Sequence, residues 1–369
     1  MRIDSVELVH VRVPLKEPFR ISTAQVSEKD AILCIMKSGG ATGIGECSPM
    51  SGSFYNDETP ETCIAALRST LVPALLAEDL ATPHDFSRIA SLLPGDMFAK
   101  AGLEMSLWDL FGRISGQPIH KMLGASGAPV QSGLAVGIFD TAKDLIDRIE
   151  AHLKDGYVRV KVKVKPGWDE EPLKAIRKKF GGIELMVDAN AAYTMEHLED
   201  LKKLDKFSLM MIEQPLAADA LEDSARLQAH LRTPICIDES ADSLASVERA
   251  VKLGAASIVN IKLQRVGGFG PALKMHDFCL SHKIPVWCGY MPELGISTAA
   301  GLHISGLPGY IYPGDLEPSL RWFTDDITEE PIALSEPGYL EVPQGPGLGI
   351  GLDMAKVSKY RVWGEKFSR

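Results

Sequence analysis

The chain has 369 residues, 45% of them hydrophobic and 24% charged, the make-up of a globular protein longer than one compact core usually holds. Its formal net charge of -10 argues against nucleic acid or an anionic membrane surface as the main partner. No apolar run reaches the roughly 18 residues of a membrane span, MRIDSVELVH lacks a signal peptide's basic region and apolar core, and the six cysteines are scattered without a C-x-x-C pair, so the expectation is a cytoplasmic protein with reduced thiols.

The first 125 residues are mixed in texture. Strand-like runs at 2–13 and 30–37 lead into the turn-rich GECSPMSGSFYNDETP, and then into AKAGLEMSLWDLFGRISG, whose apolar spacing is helical and which ends near Gly116. From about residue 130 the pattern becomes regular. Short apolar runs occur at 134–138, 158–164, 183–188, 209–215, 234–240, 257–262 and 284–289. Amphipathic segments lie between them: TAKDLIDRIEAHLKDG is striped by Leu145, Ile149 and Leu153 and stopped by Gly156, and SLASVERAVKLG repeats the device up to Gly254. Strands alternating with helices predict a parallel sheet with right-handed crossovers, and six or more such units predict a closed α/β barrel over 126–315. An open doubly wound sheet is the competing fold, but no G-x-G-x-x-G follows the first strand and no P-loop is present. After about residue 315 the periodicity dissolves, and the segment 316–369 is expected to cross back to residues 1–125, the two forming a smaller α+β domain.

Within YVRVKVKVKPGWD the valines alternate with Arg159, Lys161, Lys163 and Lys165, a period of two that separates an apolar face from a cationic one. Lys163 heads a series. Asp188, Glu213, Asp238 and Lys262 follow at intervals of 25, 25, 25 and 24 residues, each at or near the carboxyl end of its run. One βα unit per interval predicts five inward side chains at matched height on the barrel face where such folds build active sites. Three carboxylates without histidine or cysteine match a hard divalent cation, Mg²⁺ or Mn²⁺. Flanking lysines on opposite sides would allow removal of a proton next to a carboxylate on one side and its return on the other. Taken singly, each carboxylate is equally readable as a cap of the following helix.

These residues carry a resemblance. KVK (161–163), VDAN (187–190), IEQP (212–215), IDES (237–240) and NIK (260–262) resemble the successive strand motifs of the enolase superfamily. Lys262, with no histidine base in IPVWCG, resembles the muconate-lactonizing subgroup, and GYVRVKVKVKPGWDEEPL, TPICIDES and VNIKLQRVGGFGPALKMHD are similar to the o-succinylbenzoate synthase and N-succinylamino acid racemase family. The resemblance implies a modified (β/α)₇β barrel with an α+β cap from both termini. It implies Asp188, Glu213 and Asp238 as metal ligands, Lys163 and Lys262 as the acid/base pair, and Lys161, Asn190 and Glu239 in support. It also implies a small carboxylate substrate and a homo-oligomer. The chain departs from the family in GYMPELG, which keeps Glu293 but carries Tyr290 and Leu294 beside Met291, and at Ala135, where the family has a serine. Those positions, with Arg20, Ser22 and Tyr55 of the cap, are the candidate substrate contacts.

Four readings follow. Dehydration by an o-succinylbenzoate synthase or racemisation of an N-acylamino acid stands first. Dipeptide epimerisation or cycloisomerisation keeps the same proton chemistry. A Schiff-base aldolase would use a strand lysine as nucleophile and would not need three aligned carboxylates. An inactive binding paralogue conflicts with the presence of all five chemical positions.

Overall fold

The computed structural model describes residues 1–20, 25–52 and 57–369. The strands Ser5–Arg20 (β1), Gln25–Ser38 (β2) and Ala41–Cys47 (β3) form an antiparallel sheet, and the C-terminal strand Arg361–Ser368 adds to its edge by pairing with β1 from Ser5↔Ser368 onward. β3 falls partly in the stretch read from sequence as turn-rich. Its glycines hide it, and packing requires them: the helix Met97–Ser115 crosses so closely that a Cβ on Gly45 would stand 2.0 Å from the Gly102 carbonyl oxygen.

Val130–Gln131 (β4) joins a small sheet with Leu334–Glu336 and Tyr339–Leu340. Seven parallel strands then follow in strict chain order: Leu134–Val136 (β5), Arg159–Lys163 (β6), Glu184–Asp188 (β7), Ile212–Glu213 (β8), Ile235–Ile237 (β9), Ile258–Ile261 (β10) and Val286–Cys288 (β11). The stretch 309–315 bonds to both edges of this sheet. Val286 N donates to Gly309 O at 3.0 Å and Asp315 N to Cys288 O at 3.0 Å, while on the other side Gly133 N donates to Gly314 O at 2.8 Å. An eighth, irregular strand thereby closes the barrel, so the α/β modified (β/α)₇β architecture with a separate antiparallel cap is the observed fold.

Helices cover the outside. Ala142–Leu153 begins at Thr141, whose hydroxyl accepts from Asp144 N, and Leu244–Leu253 runs from the Ser243 cap to Gly254 in the left-handed region. Val160, Val162 and Val164 pack outward against Leu145 and Ile149 of the first of these helices and against Leu173 and Ile176 of the helix Glu170–Phe180. Inside, Met186, Met211, Cys236, Ile258 and Trp287 form a dry layer that floors the site. All six cysteines are buried free thiols. Among the described residues no helix is long and apolar enough to cross a membrane.

Candidate active site

The period-two alternation of β6 turns Arg159, Lys161 and Lys163 into the barrel at successive depths. Arg159, the deepest, donates to Asp315 Oδ1 at 2.9 Å and to Pro313 O at 2.6 Å. Lys161 meets Asp315, Glu213 Oε2 at 3.1 Å and Asp188 Oδ2 at 3.4 Å. Lys163 donates to Asp188 Oδ2 at 2.5 Å. Trp287 lies beneath, its ring 5.6 Å from the Arg159 guanidinium and 5.1 Å from the Lys161 ammonium. Lys165 lies past the strand end and is exposed.

The register explains how a spacing of about 25 residues produces one site. Lys163 pairs level with Asp188, and Asp188 with Glu213. Glu213 pairs with Cys236, two residues short of Asp238, and Val259 pairs with Ile237, which leaves Lys262 two residues beyond the partner of Asp238. The pairing is therefore not flat. Four residues of offset over four strand steps is roughly the one residue per strand that closure of a tilted eight-stranded barrel demands. Because each offset is even, every member of the series still points inward.

Asp188 and Asp238 both have cationic partners. Asp238 accepts from Lys262 at 2.7 Å and also from Arg265. Burial opposes ionisation of Asp188, but Lys163 and Lys161 outweigh it and hold the carboxyl below its ordinary range; Lys262 and Arg265 do the same for Asp238. Burial likewise opposes the charge on Lys161, yet Asp315, Glu213 and Asp188 together keep it protonated. Glu213 is the exception: burial, then repulsion by Asp188, pushes it up to about 8. Glu239 rises to about 7 from burial and the nearby Asp238 and Asp188.

The strand ends are strained. Asn190 (φ 42°), Ala191 (φ 60°) and Gln214 (φ 36°) hold left-handed backbone without being glycine. Gln214 compensates by accepting from Asp238 N at 2.9 Å and Ser240 N at 3.1 Å, which fixes where β9 delivers its carboxylate. Asn190 N donates to Asp188 Oδ1 at 3.0 Å and its Nδ2 to Glu239 Oε1 at 3.1 Å.

Among the described residues no set of three His, Cys, Asp or Glu converges as it stands on a metal position, because Asp188, Glu213 and Asp238 each turn an oxygen onto a lysine. The chemistry of the donors nevertheless fits a hard divalent cation. They are all oxygen, Glu213 is crowded by the three acids Asp188, Asp238 and Asp315, and Asn190 Oδ1 and Glu239 Oε2 are buried without a hydrogen-bond partner.

One pocket of about 60 Å³ brings together Lys161, Lys163, Asn190, Lys262, Asp315, Ala135, Tyr290 and Met291, walled by Phe19, Val26, Met50 and Trp322. Glu293 does not line it. That carboxylate is buried behind the wall, accepts from Met291 N at 3.1 Å, and is pushed up to about 8 by burial and by Glu46. Arg20 is also elsewhere, bridged to Asp140 at 2.8 Å beside an outer cleft of about 650 Å³ that shares Phe19 and Trp322 with the inner pocket. Ser22 and Tyr55 lie outside the described residues. Reasoning from sequence assigned no role to Asp315, Asn260 or Arg265. Asn260 was detectable, since it stands two residues before Lys262 and shares its strand face. Asp315 was not detectable from periodicity, because its strand is broken by Pro313 and Gly314.

Comparison with known proteins then decides the family. Residues 3–124 match the mandelate racemase / muconate lactonizing enzyme N-terminal domain, and residues 144–356 match the enolase C-terminal domain-like family. The chain belongs to the enolase superfamily, in its muconate-lactonizing subgroup. It is an enzyme of that superfamily, whose members generally use a divalent metal. It is 39% identical over 370 residues to an o-succinylbenzoate synthase of Geobacillus stearothermophilus, covering 100% of this chain and 98% of that one. It is 41% identical over 369 residues to an N-succinylamino acid racemase of Amycolatopsis, covering 98% and 99%. The fold superposes on an enolase-superfamily member from Listeria innocua with a TM-score of 0.96, at 33% identity and 100% and 99% coverage.

Proposed function

We propose that this superfamily member removes the proton α to the carboxylate of a small-molecule substrate, by way of an enediolate, acting as an o-succinylbenzoate synthase, an N-succinylamino acid racemase, or both in one site. The observation that carries this reading is that Lys163 and Lys262 line one pocket from strands four steps apart, each hydrogen-bonded to a different buried carboxylate. The names of the two relatives support the substrate class.

A Mg²⁺ or Mn²⁺ ion held by Asp188, Glu213 and Asp238, with Asn190 in support, would polarise the substrate carboxylate and offset the charge of the enediolate. Lys163, in its neutral form, takes the α-proton. In dehydration it returns that proton to the departing hydroxyl on the same face, while the charge of Lys262 favours the enediolate from the opposite side. In racemisation Lys262 instead delivers a proton to the opposite face. Lys161, kept charged by Asp315, Glu213 and Asp188, adds to the positive field the enediolate meets. Tyr290, Met291, Met50 and Trp322 supply an apolar wall that excludes water from this step.

Incubation in D₂O with a panel of N-succinyl amino acids and the β-hydroxy acid precursor of o-succinylbenzoate separates the two reactions, exchange at Cα marking racemisation and loss of hydroxyl marking elimination. Lys163→Ala is expected to reduce either by about 10²–10⁴-fold, and persistence of exchange in that variant would refute Lys163 as the base. Turnover that survives chelation, and is trapped by borohydride, would replace this chemistry with a Schiff-base mechanism.

A further inference from the structure

We infer that Asn260 is a positioning residue that yokes two of the three acidic side chains, Glu213 and Asp238, into the arrangement a divalent cation needs; this deepens the metal-assisted reading above and rests on it. Asn260 lies on β10 with its side chain wholly buried. Its Nδ2 donates to Glu213 Oε1 at 2.7 Å and to Asp238 Oδ1 at 3.1 Å, so both amide hydrogens are used. The partners decide which way the amide faces. Flipped, its carbonyl oxygen would confront two acidic groups, whereas as placed that oxygen points away and has no partner.

The geometry gives each acid a division of labour between its oxygens. Glu213 Oε1 is held by Asn260, and Oε2 faces Lys161. Asp238 Oδ1 is held by Asn260 and Arg265, and Oδ2 faces Lys262. Lys161 and Lys262 both line the pocket, so the amide turns one oxygen of each acid inward by tethering the other. Without the tether, two buried acids on neighbouring strands would rotate apart. The neighbouring strand is shaped to admit this amide: a Cβ on Gly289 would stand 2.1 Å from Asn260 Oδ1 and 2.3 Å from Nδ2.

The test is calorimetric titration of Mg²⁺, and manganese resonance titration of Mn²⁺, into substrate-free wild type, Asn260→Ala and Asn260→Leu, with folding checked by circular dichroism. Leu keeps the branched outline of Asn and removes both donors, so it separates loss of the amide from creation of a cavity. Both variants are expected to bind metal about 10–100-fold more weakly while remaining folded. A Leu variant that binds within threefold of wild type would overturn the assignment, including the case in which only Ala is weakened. Wild type that binds neither ion would instead defeat the metal reading itself, which is a separate result.

Discussion

Asp315 shows how a single buried charge organises this barrel. It joins Arg159 and Lys161, which otherwise would place two cations next to each other in a dry interior floored by Trp287. Removing one partner from a buried cluster leaves uncompensated charge, so Asp315→Ala is expected to cost about 3–5 kcal/mol, read as a lower urea midpoint. Lys161 must then lose its placement beside Glu213 and Asp188 as well, and the metal titration described for Asn260 should weaken in parallel. A stability change below about 1 kcal/mol would show that solvent or another acid compensates the cluster. Lys163, Asp188, Glu213, Asp238 and Lys262 were legible in the sequence because period-two strands repeated every βα unit put their side chains in phase. Asp315 was not, since Pro313 and Gly314 erase the periodicity of the strand that carries it. Glu293 was legible as a polar residue beyond a strand, but its burial behind Met291 depends on the cap acid Glu46 and cap lysine Lys29 that face it.

Strand β3 and the helix Met97–Ser115 illustrate the cost of close approach. Gly45 meets the Gly102 carbonyl oxygen and Gly102 meets Cys47, with added Cβ atoms at 2.0 and 2.3 Å respectively. Backbone cannot yield as a side-chain tip can, so Gly45→Ala is expected to destabilise by about 1–3 kcal/mol, measured by denaturant unfolding. From sequence those glycines read as turn signals, because a glycine demanded by a neighbouring helix looks the same as one demanded by a turn. β3 also delivers Glu46 to the barrel, where it accepts from Leu294 N and Ser297 N at 3.0 Å each and so caps the helix Gly295–Ser305. Ser48 N, just beyond, donates to Gln264 Oε1 at 3.0 Å, two residues after Lys262. The cap and the segment that follows Lys262 are thereby held together by the same short stretch.

The join between cap and barrel carries a titratable clamp. Glu104, on the cap helix, accepts from Gly270 N at 2.9 Å at the start of the barrel helix Phe269–Ser281, and burial pushes its carboxyl from 4.5 up to about 7. In that window the unfolded chain has released the proton and the folded chain has not, so stability falls as pH rises from about 4.5 to about 7 and is flat beyond. Glu104→Gln should remove this part of the slope: the Tm difference between wild type and variant is expected to move against wild type across that range, and a pH-independent difference would show that Glu104 titrates normally. The residue pattern alone was enough to specify a barrel of alternating strands and helices and to place five chemical residues on its inner face, because strand period and unit length are local properties. Which oxygens meet which cations, why Asn260 and Asp315 belong to the site, and how Glu104 and Glu46 bind the cap to it were decided only by tertiary structure. Those contacts join residues tens to hundreds of positions apart, and their energies depend on burial, which no local pattern reports.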